Sequence, residues 1–189
     1  MKVTVIKIGG NIIDNPIELE QFLTDFSKIE GYKVLVHGGG KSATKMAQSI
    51  GLIPQMIDGR RITDAPMLDV VVMIYAGQIN KHIVAQLQAK NNNAIGFSGA
   101  DGNLIQSVKR NHPTIDYGFV GDVKQINTKL LVTLLEAGIV PVFCAITHDK
   151  NGQLLNTNAD TIASELSIAL SEVFDVTLTY CFEKQGVLQ

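Results

Sequence analysis

Val3-Thr4-Val5-Ile6-Lys7-Ile8-Gly9-Gly10 carries the reading of the fold: an apolar run that empties into a glycine turn, with a lysine two residues ahead of the first glycine. A second run, Lys33-Val34-Leu35-Val36-His37, enters Gly38-Gly39-Gly40 in the same manner. Near-continuous apolar character marks strands buried on both faces, as in parallel sheets. Glycine at the exit lets the backbone close on an anion, because no Cβ stands between the N–H groups and the ligand. Two such turns point to two anionic groups, and Lys7 points to a phosphate as one of them.

Outward from these runs, strand-like and helix-like segments alternate through the 189 residues. Asn15-Pro16-Ile17-Glu18 opens a helix, with Asn15 as cap, Pro16 in the first helical position and Glu18 completing a capping box. Leu19, Phe22, Leu23, Phe26 and Ile29 follow at helical spacing, and Gly31 closes the helix. Strand 33–37 leads to a helix with Ala43, Met46, Ala47 and Ile50 on one face. Leu52 to Ile62 reads as an extended hairpin near the mouth of a site. Thr63-Asp64-Ala65-Pro66 starts a helix over 64–90, whose stripe of Leu68, Val71, Val72, Tyr75, Ile79, Ile83 and Leu87 is long enough to serve a second subunit as well as the sheet. Strands are expected at 94–97, 104–109, 118–126, 139–143 and 176–181, and helices at 127–137 and 159–171. Polar turns are expected at Ser98 to Gly102 and at Asp149 to Gly152.

This order predicts an α/β fold: an open, mainly parallel sheet with helices on both faces, a three-layer sandwich. Ligands of such sheets lie beyond the carboxyl ends of the strands. That edge would hold both glycine turns, Ser98 to Gly102, and Asn156-Thr157-Asn158-Ala159-Asp160.

Composition narrows the function. A net charge of −2 without a basic stripe excludes nucleic acid and anionic membrane as partners. The two cysteines, Cys144 and Cys181, lie in apolar runs and read as small buried hydrophobes of a reducing compartment. His37, His82, His112 and His148 lack ligand spacing, so no metal site is expected. The amino terminus reads as a strand rather than a signal peptide, and no apolar stretch is long enough to span a bilayer, so the expected location is cytoplasmic.

Gly38-Gly39-Gly40-Lys41-Ser42 imitates the end of a nucleotide-binding P-loop, but Leu35 stands where that motif needs its first glycine. Gly38, Gly40 and Ala43, with Asp58 downstream, fit a relaxed dinucleotide fingerprint, which keeps an NAD-dependent dehydrogenase as a rival reading. The alternative places the acidic end of a small substrate on the triple glycine, at the start of a helix whose dipole favours a carboxylate. Lys7 either snorkels from its strand end or neutralises charge on a transferring phosphoryl group. Arg60 or Arg61 can clamp a carboxylate bidentately, and the sequence alone does not choose between them. Asn158 suits an N-cap, whereas Asp160 in the same first turn suits either the helix dipole or the orientation of lysines around a phosphate.

Taken together, Ile6-Lys7-Ile8-Gly9-Gly10-Asn11, Val36-His37-Gly38-Gly39-Gly40, Gly59-Arg60-Arg61-Ile62-Thr63, Gly96-Phe97-Ser98-Gly99-Ala100-Asp101-Gly102 and Asn156-Thr157-Asn158-Ala159-Asp160 resemble the amino acid kinase family, in its N-acylglutamate-phosphorylating branch. The resemblance implies ATP-dependent phosphorylation of the side-chain carboxylate of an N-acyl-L-glutamate in arginine biosynthesis. It implies that Lys7 stabilises the transferring group, Gly9 and Gly10 donate N–H bonds to it, and Asp160 positions Lys7. Gly39 and Gly40 would hold the attacking carboxylate, and Arg61, Asn156 and Asn158 would bind the rest of the amino acid. Such a carboxylate is ionised at neutral pH and needs no general base. Mg2+ would ride on the nucleotide phosphates.

By the same resemblance, residues 1–175 form an amino-acid-substrate lobe and 176–189 the start of a nucleotide-binding lobe that is otherwise largely missing. An inactive piece or a non-catalytic binding module of the same fold is therefore an alternative. Phe182-Glu183 stands where the family commonly has Ser-Asp. The lack of an extra amino-terminal helix implies a homodimer through the 64–90 helix, without arginine feedback.

Overall fold

The computed structural model describes residues 1–39, 41–57 and 60–182. The first run is strand β1 (Lys2–Ile8), followed by a short helix α1 (Gly10–Asp14) that the sequence did not announce. Helix α2 (Pro16–Ser27) starts as expected: the Asn15 side chain accepts from the N–H groups of Ile17 and Glu18 and donates to Glu18 Oε1 at 2.9 Å. It stops before Gly31. Lys33, buried on strand β2 (Tyr32–His37), donates through Nζ to the carbonyls of Phe26, Ser27 and Ile29 at 3.1, 2.9 and 2.9 Å, closing the helix end from outside.

Helix α3 (Ser42–Ser49) buries Ala43 and Ala47, but Met46 and Ile50 are 40% and 57% exposed, against the expected four-residue stripe. Met46 lies off the narrow alanine face, and Ile50 is past the last helical residue. Strands β3 (Met56–Ile57) and β4 (Arg60–Arg61) make the expected hairpin. The long helix is continuous but not uniform: α4 (Ala65–Val72), a π-helical segment (Met73–Ile79) and α5 (Asn80–Ala89). Asp64 caps it by accepting from Met67 N–H at 2.9 Å. Its stripe is buried except at Val72, which is half-buried.

Strand β5 (Ala94–Phe97) leads through a 3-10 turn at Asp101–Asn103 to β6 (Ile105–Lys109) and β7 (Val120–Ile126). Helix α6 (Thr128–Glu136), strand β8 (Val140–Cys144), the hairpin β9 (Ile146–His148) and β10 (Leu154–Thr157), helix α7 (Ala159–Ser171) and strand β11 (Asp175–Cys181) complete the chain.

The main sheet has five parallel strands in the order β11-β1-β2-β8-β5. Right-handed crossovers place the layers. Steps from β1 to β2 and on to β5 run one way and put α2 and α5, which touch, on one face; the return steps to β8 and β11 put α6 and α7 on the other. Leu23, Phe26, Val34, Leu35, Ile83, Leu87, Phe143 and Leu166 fill the interfaces. A second feature was not legible beforehand: β6, β7, β9 and β10 close into a small barrel beside the sheet. Register aligns the strand ends, with Ile8 opposite both His37 and Cys181, and His37 opposite Cys144.

Candidate active site

Because β1 and β2 are neighbours in register, both glycine turns leave the same edge of the sheet. Neighbouring strands lie about 4.8 Å apart, so two ligand groups bound there would be in contact. The Asp14 carboxylate, at the end of α1, accepts from Lys41 N–H and Ser42 Oγ, both at 2.9 Å. It ties the end of α1 to the start of α3. Nothing in the sequence marks Asp14, since its partners lie 27 and 28 residues away.

Lys7 stands on β1 with its Nζ 2.8 Å from Asp160 Oδ1, at 17% exposure for the lysine side chain and 53% for the aspartate. Snorkelling is thereby replaced by an ion pair. Asp160 lies in the first turn of α7, which begins where Asn158 Oδ1 accepts from Thr161 N–H at 3.0 Å. Gly9 donates its N–H to the Cys181 carbonyl at 2.9 Å, continuing the sheet ladder. Gly10 opens α1, whose first-turn N–H groups have no partner within the helix. Burial pushes the Cys181 thiol up, with the Lys7 charge acting against it.

A cavity of about 230 Å³ is bordered by Gly38, Arg61, Tyr75, Arg110, Asn156 and Asn158, among others. Ala159 lines it as well, and a Cβ on Gly38 would sit 3.8 Å from the Ala159 methyl, so the second glycine turn rests against the start of α7. Gly39 fits only because it has no side chain: a Cβ there would fall 1.5 Å from the Tyr75 ring. The π-helical segment carries that ring, and such segments recur at functional sites. Burial raises the Tyr75 phenol, with the nearby Arg61 charge opposing it.

Arg61 is oriented by Thr44 Oγ1, 2.9 Å from Nη2, and Asn156 Nδ2 donates to Thr63 Oγ1 at 3.0 Å. The barrel adds Arg110, which sequence reasoning missed. Its Nε donates to both carboxylate oxygens of Asp122, at 3.0 and 3.2 Å, and its Nη2 donates to Asp122 Oδ1. No carboxylate side chain lines the cavity among the described residues, while two guanidiniums do. Such a wall suits an anionic ligand. The structure thus gathers Gly38, Arg61, Asn156 and Asn158 around one cavity, and Asp160, paired with Lys7, follows Asn158 and Ala159 in the chain. Gly39 backs onto Tyr75, and Gly9 and Gly10 lie on the adjoining strand end. Gly40 and Asp58 fall outside the described residues.

Comparison with known proteins bears on this geometry. A model of the amino acid kinase family matches residues 2–173. Acetylglutamate kinase of Phocaeicola vulgatus is 58% identical over 188 residues, which is 100% of this chain and 73% of that protein. Acetylglutamate kinase of Methanopyrus kandleri is 39% identical, over 98% of this chain and 73% of its own length. Among solved structures, N-acetylglutamate synthase from Neisseria gonorrhoeae, complexed with coenzyme A and N-acetyl-glutamate, superposes with a TM-score of 0.83 at 20% identity. That superposition covers 98% of this chain and 42% of the synthase, and at such identity it speaks for the fold alone.

Proposed function

The chain belongs to the amino acid kinase family, and we propose that its cavity receives the amino-acid substrate while Lys7 and the first glycine turn meet the phosphoryl group in transfer. The reaction is that of an acetylglutamate kinase in arginine biosynthesis: a side-chain carboxylate oxygen of N-acetyl-L-glutamate attacks the γ-phosphorus of ATP, ADP departs, and an acyl phosphate forms. No proton moves, because the nucleophile is already an anion. Catalysis then reduces to alignment and charge stabilisation.

The observation that supports this reading is the adjacency of the two glycine turns on neighbouring strand ends, with Lys7 paired to Asp160 at the start of the helix whose first residues line the cavity. Lys7 neutralises charge on the transferring group, and Asp160 fixes its direction. The first turn of α1, beginning at Gly10, offers that group N–H donors, whereas the Gly9 N–H, expected to do the same, is already given to the Cys181 carbonyl. Gly39 and Gly40 take the attacking carboxylate. Arg61 clamps the α-carboxylate, and Asn156 and Asn158 face the acylamino end.

Mg2+ is assigned to the nucleotide phosphates, a mode for which the donor set is suited: Asp160 is paired with Lys7, and the described residues hold no group of three or more His, Cys, Asp or Glu that could cage an ion. Residues 1–175 serve as the substrate lobe, and β11 leads into the nucleotide-binding side. A second copy is assigned to the 64–90 helix, where Met73 is exposed. No helix among the described residues is long and apolar enough to cross a membrane, and a cytoplasmic location accords with the chemistry.

Hydroxylamine trapping tests the reading. With ATP and Mg2+, a hydroxamate is expected to accumulate with N-acetyl-L-glutamate and to be absent with free L-glutamate. Binding of N-acetyl-L-glutamate without any trapped product would mark a non-catalytic module instead.

A further inference from the structure

Behind the second glycine turn runs a buried polar chain to which the roles above give no task. His37 ends β2 with no exposed surface, its Nδ1 2.7 Å from the Gly38 carbonyl oxygen and its Nε2 3.0 Å from Asn80 Nδ2. Asn80 is buried at the junction of the π-helical segment and α5. Its Nδ2 also reaches the Val142 carbonyl at 2.9 Å, and its Oδ1 lies 3.2 Å from Lys81 Nζ.

These partners permit a single arrangement of protons. A carbonyl only accepts and an ammonium only donates, so the amide must turn Nδ2 to Val142 and Oδ1 to Lys81. The second amide N–H then donates to His37 Nε2, which can carry no proton. The imidazole proton is left on Nδ1, where the Gly38 oxygen accepts it. His37 is neutral and locked in one tautomer, and burial, holding its pKa down at about 4, acts in the same sense. Space for the amide is made by Gly96, where a Cβ would fall 1.8 Å from Asn80 Oδ1. Lys81 Nζ also donates to the Gly96 carbonyl at 3.1 Å, closing the chain.

The Gly38 carbonyl and the Gly39 N–H belong to one peptide plane, and no peptide bond among the described residues is cis. They therefore point in opposite directions. Holding the carbonyl against His37 aims the Gly39 N–H the other way, while the Tyr75 ring leaves the turn no room to shift toward it. We propose that His37 and Asn80 are positioning residues that set the direction of the glycine-turn N–H groups for the substrate carboxylate. This rests on the cavity being the N-acetylglutamate site.

Calorimetric titration with N-acetyl-L-glutamate on the wild-type chain, His37→Asn and His37→Phe tests it. Asparagine keeps an N–H close to the place of Nδ1, whereas phenylalanine fills the volume without a donor. Phenylalanine is expected to weaken binding about tenfold, the scale of one buried hydrogen bond lost, and asparagine to stay within about threefold. Equal affinity in wild type and His37→Phe, or equal losses in both variants, overturns the proposal. A wild-type chain that does not bind N-acetyl-L-glutamate at all sinks the substrate reading itself. If His37→Phe does not fold, 15N NMR of the wild-type imidazole decides: a proton on Nδ1 alone at pH 7 is expected, and a proton on Nε2 overturns the assignment.

Discussion

An ammonium inside a strand must find an anion or reach water, since an unpaired buried charge is costly. Lys7 finds Asp160, and the pairing directs the ammonium toward the first turn of α7. Arg61 is held comparably through Thr44, a contact a planar fork makes and a flexible ammonium does not reproduce. Arg61→Lys should therefore weaken N-acetyl-L-glutamate binding by roughly tenfold or more, read by titration, even though the charge is kept. His37 makes a different residue-scale prediction. Its folded pKa of about 4 lies below the ordinary imidazole value of 6.5, mainly through burial, with the Lys81 charge adding to the depression. Between those two values the unfolded chain binds the extra proton and the folded chain does not, so stability falls as pH drops through this window. The loss should approach roughly 3 kcal/mol at the acid end, and His37→Asn should flatten that part of the curve of unfolding free energy against pH.

Among the elements, α2 shows how a helix end can be decided from outside. Lys33→Met would leave three carbonyls without their donor, at a cost of about 1–3 kcal/mol, measurable as a lower Tm with substrate affinity unchanged. Local chemistry was legible at the other end of the same helix, where Asn15 and Pro16 act within a few residues of their own position. The caps Asp64, Asn127 and Asn158 belong to this class as well. What could not be read depends on partners far away in sequence. Lys33 capping α2, Asp14 bridging the two turns and Arg110 pairing with Asp122 each need a register or a crossover to be known first. The π-helical segment is of the same kind, because periodicity alone continues smoothly through residues 73–79.

At the scale of the molecule, alternation of apolar runs with helical stripes was sufficient for the layered parallel sheet, since handedness and burial leave few other ways to connect them. The small barrel escaped because β9 and β10 are short, and the antiparallel pairs β6-β7 and β9-β10 close on each other only through brief parallel pairings of β10 with β7 and of β9 with β6. Its position matters, for it supplies Arg110, Val120, Asn156 and Thr157 to the cavity wall opposite the glycine turn. On the proposed reading, the sheet edge brings phosphate and carboxylate together, and the barrel shapes what else the pocket admits. The proposal turns on the role assigned to Lys7. The most direct measurement is turnover of Lys7→Ala in the hydroxamate assay, set beside its affinity for N-acetyl-L-glutamate. The account predicts a fall in kcat of about 100- to 1,000-fold with substrate affinity nearly intact. Unchanged turnover would contradict it.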